Sequence, residues 1–499
     1  MENKKDENFV ESIRAYIEQN YADKNISVAF FREMTGYSIM HINRVYKKEY
    51  WNMTPIEHLH KVRMEEAKKF IKEGVPLGMV ANKVGCYSMR TFYRSFEKSN
   101  GMTPTQYKQK WMKDHEWLKD SVSNQLTRPI DYAKNACGTM MLQYDASELY
   151  PVAIKEGISR YSFQQGIFLL GMYNTYKLCN EKRYLNYILE WVDVVTDSEY
   201  KVKFNEWFTE DQTRETLDAY QPIALLARLC GETGDSSYLK TVEYIKENFA
   251  TYPKTRDGIL WHISWVPHQV HLNSVYMMCP SLCWYGRLTG DENYYDIAAD
   301  QAIQIYRKLR DDKTGLIRRS YDESKTAEWA DPETGLATEV WGRALGYYVM
   351  GLVDMLEILP ETHPCREELI KILKDTIDAV AKYQDGTGIW YQIVDLGNTN
   401  GNWLEISSSC MFVYTMAKAI NLGIISGDYE EKVIKGYSGI IDTVEYGEKG
   451  EMILNDICEE MNIEQSSAYI NSKNLTNSLL GVGLFVHMCN EMEKFFKNI

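Results

Sequence analysis

Apolar positions in the first hundred residues recur at the three- and four-residue spacing of helices. Phe9, Ile13, Tyr16 and Ile17 fall on one face, and Ser27 is placed to cap a second helix that Gly36 ends. Ser38 then opens IMHINRVYKKEY, in which Ile39, Ile42, Val45 and Tyr46 form the apolar face while Met40, His41, Asn43, Arg44 and Lys47 point outward. That is the layout of a recognition helix. The arrangement repeats: residues 77–84 read as a short helix, Gly85 breaks it, and Ser88 caps MRTFYRSFEKS. In this second copy Phe92 and Phe96 point inward and Met89, Arg90, Tyr93 and Arg94 outward. A long helix over about residues 55–72 would join the two and hold both recognition helices on one side.

After a polar stretch read as a linker (114–140), apolar positions recur at helical spacing in blocks separated by short loops rich in Gly, Asp and Pro. About a dozen helices are expected over residues 141–499. ThrGlyAsp occurs at 233–235 and again at 289–291, each time ending one apolar helix and starting another. That interval suits a two-helix hairpin, and six hairpins would close into an (α/α)6 barrel with a cleft at one end. The fold class expected is all-α: a tandem helix-turn-helix domain (1–113), the linker, then the barrel.

Charge sharpens this division. Residues 1–113 hold 20 Lys and Arg against 13 Asp and Glu, although the whole chain carries a net charge of −14. The basic segment suits a polyanion, and paired recognition helices with Arg and Asn outward suit successive major grooves of duplex DNA. With 44% hydrophobic residues, 36 Tyr, 15 Phe and 12 Trp, the chain is neither disordered nor fibrous. No signal-like segment or apolar run of membrane-spanning length is present, so a cytoplasmic protein with no membrane partner is expected. The ten Cys, of which Cys279 and Cys283 are nearest each other, show no metal or redox spacing and read as reduced, buried thiols.

Several barrel loops are dense in aromatic and polar residues: WHISW (261–265), WADPETG (329–335), EVWGRALGY (339–347) and YQIVDLGNTNGNWLEISSS (391–409). Aromatic faces beside hydrogen-bonding groups suit a carbohydrate, with Arg343 able to fork onto a uronate carboxylate and Trp341, Tyr347 and Trp403 offering ring surface.

Two resemblances follow from these segments. GYS (36–38), VRMEEAKKF (62–70), VANKVGCYSMRTFYRSFEKSNGMTP (80–104) and the final TPTQYK resemble the DNA-binding domain of AraC-family transcription regulators. The resemblance implies promoter DNA as partner and places base-facing residues at Met40, Asn43, Arg44, Met89, Arg90, Tyr93 and Arg94. The domain is N-terminal here, whereas the commoner family order puts it last.

YQDGTGIWYQIVD (383–395), GNWLEISSSCMFVYTMAK (401–418), YDESK (321–325) and GVGLF (481–485) are similar to the unsaturated rhamnogalacturonyl and glucuronyl hydrolases, glycoside hydrolase families 105 and 88. That resemblance implies an (α/α)6 barrel, no metal or other cofactor, and hydration of the double bond of an unsaturated terminal uronate. The family's acid lies in a segment like Tyr-Pro-x-Gln-x-Trp-Leu-Asp-Gly-Leu-Tyr-Met, which aligns with WVPHQVHLNSVYM (265–277) and puts Asn273 where the Asp is expected. His271, Arg319, Tyr321 and Tyr347 also depart from the pattern. His262, Gln269, Trp341 and Arg343 match it, and Asp218 stands where the family has its second cleft carboxylate. The reading is a DNA-binding regulator whose barrel senses an unsaturated or acidic oligosaccharide without turning it over. The alternatives are an active hydrolase carrying a DNA-binding domain, and a constitutive DNA-binding protein whose barrel scaffolds a homodimer.

Overall fold

Small polar caps and left-handed glycines cut the first part of the chain into short helices. In the computed structural model α1 (Glu2–Asn20) is followed by α2 (Val28–Thr35), whose cap Ser27 accepts the Phe30 N–H at 3.3 Å and whose stop is Gly36 at φ +74°. The Ser38 hydroxyl accepts the His41 N–H at 3.3 Å to start α3 (Ile39–Glu49), and Ser88 accepts Thr91 N–H at 3.2 Å to start α6 (Met89–Asn100). Between them lie α4 (Pro55–Lys72) and α5 (Leu77–Lys83), and α7 (Pro104–Asp114) closes the unit. Both α4 and α7 open on ThrPro with reciprocal capping. The Thr54 N–H donates to Glu57 at 2.7 Å while Glu57 N–H donates back to the Thr54 hydroxyl at 3.3 Å, and Thr103 and Gln106 do the same at 2.8 and 3.2 Å.

Two small cores result. Ile13, Phe31, Ile42, Tyr46 and Leu59 fill one; Met64, Ala67, Val80, Phe92 and Phe96 fill the other, with α4 contributing to both. Arg63, midway along α4, donates to the carbonyls of Tyr21 and Asp23, each at 2.8 Å. Gly85, at φ +70°, lies so close to the turn after α1 that a Cβ there would sit 2.6 Å from the Ala22 carbonyl oxygen. The turn of the second helix-turn-helix unit is thus packed against the loop between α1 and α2. Ile39, assigned by its spacing to the buried face, is 38% exposed, because as the first residue of α3 it projects beyond the core.

The structure describes residues 2–49, 52–72, 77–114, 128–146, 149, 161–202, 215–247, 249–399, 401–448, 450–461 and 466–498, and the chain divides into Met1–Asp120 and Ser121–Ile499. In the second unit α8 (Pro129–Gln143), α9 (Phe163–Cys179), α10 (Lys182–Val195), α11 (Ile223–Thr233), α12 (Ser237–Ile245) and α13 (Ser274–Thr289) come first. They are followed by α14 (Asn293–Leu309), α15 (Gly342–Ile358), α16 (Arg366–Ala381), α17 (Ile406–Asn421), α18 (Glu430–Ile441) and α19 (Leu479–Asn498). Helices α9, α11, α13, α15, α17 and α19 each pack on the next, and α19 returns to α9, which closes an inner ring. Each remaining helix backs the inner ring, α8 and α16 each reaching two inner helices. This is the expected (α/α)6 barrel. The sequence encodes the two layers: α9 and α15 are buried nearly all round, whereas the outer α10 buries one stripe. The repeated ThrGlyAsp turns from an inner helix to an outer one, with Gly234 at φ +73° and Gly290 at +75° as left-handed caps.

The linker expected over 114–140 ends sooner than its polarity suggests. From Pro129 the chain is helical, and Ile130, Ala133, Ala136, Cys137 and Met140 are buried in the barrel core. Asn135 disguised this face as polar; its amide is buried and donates to the Gly450 carbonyl at 3.2 Å. Residues 115–127 lie outside the described residues. All ten cysteines are unbridged, and seven are buried as small apolar groups.

Short two-stranded ribbons sit where the chain enters the inner helices. β1 (Gln269–His271) pairs with β2 (Ser320–Asp322) and leads into α13. β3 (Trp390–Tyr391) pairs with β4 (Leu404–Glu405) and leads into α17, and β5 (Glu445–Tyr446) pairs with β6 (Met452–Ile453). β7 (Ile457–Cys458) pairs with β8 (Asn474–Leu475), shortly before α19. These ribbons place a set of polar side chains at the N-terminal end of the inner ring.

Candidate functional site

At that end of the barrel, Asp218 lies in a single 3₁₀ turn (Leu217–Tyr220) ahead of α11. The His262 Nε2 stands 3.4 Å from the Asp218 Oδ1, while its Nδ1 bonds the hydroxyl of Ser274, the first residue of α13, at 2.9 Å. A serine on one ring nitrogen and a carboxylate on the other fix the orientation of this imidazole. His271, from β1, stacks on His262 at 4.3 Å between ring centres. Burial holds the His271 pKa well below the usual value, with the charges of His262 and Arg319 adding to the effect, so the ring is neutral near pH 7.

Asn273 precedes α13 directly, next to Ser274, and its side chain makes no capping hydrogen bond to the helix. Asn273 is therefore the chain neighbour of the serine that orients the histidine. Tyr347, 3% exposed, stacks on Tyr276 at 5.5 Å, and Trp341 packs 5.1 Å from Tyr469. His271 Nε2, Trp341 Nε1 and the Tyr347 hydroxyl are buried with no hydrogen-bond partner among the described residues. Buried polar atoms ordinarily find partners, and three aromatic side chains with unspent polar atoms suit a polyhydroxylated ligand.

Arg343 is placed differently from the expectation. Its side chain is 1% exposed and each nitrogen meets protein: Nε donates to Ser407 at 3.1 Å, Nη1 to the Glu459 carbonyl at 3.2 Å, and Nη2 to the Cys458 carbonyl. Nη2 also lies 3.5 Å from Glu405, which caps α17, accepts the Ser408 N–H at 2.6 Å and the Ser407 hydroxyl at 2.6 Å, and is wholly buried. Burial alone would push the Glu405 pKa up, but Arg343 and the surrounding donors hold it below the usual carboxylate range. Arg343 therefore ties α15 to α17 and β7, with each of its three nitrogens donating to the fold. Gln269 accepts the His262 N–H through its carbonyl at 2.9 Å, and Trp403 is half-buried against the barrel core in the β3–β4 hairpin.

The sequence reading missed Glu460. Its carboxyl lies 3.8 Å from Arg343 Nη1 and shares a hydrogen bond with Gln164. Burial raises its pKa; Arg343 opposes this, and the charge of Asp218 adds to it. A glutamate beside Glu459 in an irregular loop reads in sequence as a solvated charge, and no local pattern distinguishes it. Among the described residues, no group of three or more His, Cys, Asp or Glu is arranged to hold a metal.

In the first unit, Met40 is 82% and Met89 40% exposed, and Arg44, Arg90 and Arg94 are exposed as well. Arg44 also contacts the His41 ring at 3.3 Å. Asn43 is half-buried. Tyr93 is half-buried too, packs on Phe92, and spends its hydroxyl on Thr105 of α7 at 2.7 Å, which makes it a less available reader than its outward position suggests.

Comparison with known proteins agrees with both halves of this picture. Residues 132–496 match the family described as Glycosyl Hydrolase Family 88, and residues 32–110 match a helix-turn-helix domain. Protein Atu3128 of Agrobacterium fabrum is 34% identical over 144 residues, 29% of this chain and 61% of that protein, so the chain spans less than two thirds of that relative. The unsaturated rhamnogalacturonyl hydrolase YesR of Bacillus subtilis is 24% identical over 286 residues, 56% of this chain and 75% of its own. A glycoside hydrolase from family 105 of C. acetobutylicum superposes with a TM-score of 0.66 at 30% identity, covering 72% of this chain and 99% of that one. The unsaturated glucuronyl hydrolase of Bacillus sp. GL1 gives 0.55 at 12% identity, with 72% and 95% covered, and shows a shared fold. No helix among the described residues is long and apolar enough to cross a membrane.

Proposed function

The chain belongs to Glycosyl Hydrolase Family 88 and carries an AraC-type helix-turn-helix domain ahead of its barrel, and from that premise we propose that it is a cytoplasmic transcription regulator whose barrel binds an unsaturated or acidic oligosaccharide without turning it over. The observation that carries the reading is Asn273. It occupies the position where the resemblance puts the proton donor, one residue before the Ser274 that orients His262. A primary amide has no acidic proton to give at neutral pH, and a positioned general acid is worth roughly 10²- to 10⁴-fold. The unspent polar atoms of His271, Trp341 and Tyr347 support retained saccharide binding. A ligand signals only if it binds one state of the protein better than another, and a sensor that leaves its ligand intact keeps that difference for as long as the ligand is present.

The test incubates the full chain with an unsaturated disaccharide released by a polysaccharide lyase. Absorbance of the double bond and thermal unfolding are followed together. A raised melting temperature with stable absorbance is expected; bleaching at enzyme-like rates overturns the reading. One observation favours a second reading, a slow hydrolase: burial pushes the Glu460 pKa up, with Arg343 opposing and the charge of Asp218 adding, which makes it a candidate acid of a different origin. On that reading any turnover disappears in Glu460→Gln.

A further inference from the structure

The base-facing surface of the first unit is more apolar than a phosphate-binding surface needs to be. Met34, Ile39, Met40, Met79, Tyr87 and Met89 are all large, apolar and between 37% and 82% exposed. Scattered exposed apolar residues need no explanation. These are not scattered. Ile39 and Met89 hold the same place in the two repeats, the first residue after the capping serine, and they are exposed to nearly the same extent, 38% and 40%. Met40 follows Ile39, and Tyr87 precedes Ser88, so both recognition helices begin with an apolar cluster. Each cluster has an arginine five residues beyond its Ile39 or Met89: Arg44 in α3 and Arg94 in α6, both exposed.

The chemistry of that pairing narrows what the surface fits. Methionine and isoleucine gain nothing from a phosphate. The first residues of a recognition helix meet base edges in the major groove, and the one apolar group displayed there is the C5 methyl of thymine. A guanidinium about 1.4 turns further along suits the two acceptors of guanine. The lysines in the last turns, Lys47 and Lys48 in α3 and Lys98 in α6, supply the charge complementarity to a polyanion.

Resting on the DNA-binding half of the proposed function, we infer that Ile39 with Met40, and Met89 with Tyr87, are specificity-determining residues that seat against thymine methyl groups, one apolar contact site in each half of the operator. The operator is therefore marked by thymine next to guanine in both recognised stretches, and recognition depends on the methyl groups and not only on hydrogen bonds.

The experiment uses the full chain and duplexes selected by it from a pool with a randomised centre. In the selected duplex, thymines are replaced one at a time by deoxyuridine, which removes the methyl and leaves base pairing intact. Dissociation constants are measured at one fixed salt concentration. Each contacted methyl is expected to be worth roughly fourfold in affinity. One sensitive thymine should lie in each half, with Met40→Ala abolishing sensitivity in one half and Met89→Ala in the other. A selected duplex that binds equally well with every thymine replaced overturns the inference while leaving DNA binding intact. Failure to enrich any duplex removes the DNA-binding reading and this one with it. If the two alanine variants change the oligomeric state and leave methyl sensitivity as in wild type, the apolar clusters serve a second copy of the chain and the inference falls.

Discussion

The two units put comparable residues to opposite uses. In the first, the arginines of the recognition helices stand in solvent, and the helices that carry them are held by separate residues, Phe92, Phe96, Ile42 and Tyr46. In the barrel, the arginine of the family's motif is itself part of what holds the structure: Arg343 is closed in by Glu405, Ser407 and two backbone carbonyls. A motif residue in a helix-turn-helix can be sorted into packing or reading by its helical face. A motif residue at the entrance to an inner barrel helix cannot, because every face there meets protein and the ligand takes only what the protein leaves unspent.

The sharpest way to break this comparison is at Asn273. If that amide is the missing donor, Asn273→Asp raises hydrolysis of an unsaturated disaccharide by roughly 10²- to 10⁴-fold over wild type. An unchanged rate would place the chemistry elsewhere, with Glu460→Gln as the next measurement. Arg343→Ala should cost the barrel about 3–5 kcal/mol by leaving Glu405 buried without its cation, seen by calorimetry as an earlier barrel transition with DNA affinity unaffected. A variant that keeps wild-type stability and loses only sugar affinity would return Arg343 to the ligand. On the other unit, Arg44→Ala and Arg94→Ala should each weaken binding to a selected duplex by about 1–3 kcal/mol while leaving unfolding unchanged.

The smallest expected effect is a pH slope. Burial pushes the His487 pKa down to about 4, against an unfolded value of about 6.5. The folded barrel therefore binds fewer protons than the unfolded chain between those values. Stability is complete above about pH 6.5 and is lost as pH falls towards 4, at about 1.4 kcal/mol per pH unit for this one proton. His271 acts in the same direction. His487→Gln should remove one proton's share of the slope, whatever it does to the stability at pH 7.

Periodicity and capping made most of the fold legible. The serine caps, the glycine stops and the ThrGlyAsp turns are local devices whose geometry follows from a few residues, and each forms where its sequence places it. The start of the barrel was obscured by one buried amide, Asn135, which satisfies a distant carbonyl and mimics a loop residue. The structure sets His262 and Asp218, named in the sequence from separate segments, 3.4 Å apart, whereas Ser274, which orients His262, was not singled out there. The site was illegible at Glu460, whose character comes from residues far away in the chain, Gln164, Asp218 and Arg343. Arg343, expected at a uronate, donates to Ser407 and two backbone carbonyls here, and five donors in a motif look the same whether a ligand or the fold uses them.

The contact of Gly85 with Ala22, reinforced by Arg63, also bears on the DNA. With no room for even a methyl group between the α1–α2 loop and the Gly85 turn, the two halves of the domain are packed into one unit, and a duplex read by both recognition helices has to present its two stretches at a matching helical phase. Inserting about five base pairs between the two recognised stretches, half a turn of the double helix, would carry the second stretch to the far side, and binding to that duplex is expected to weaken.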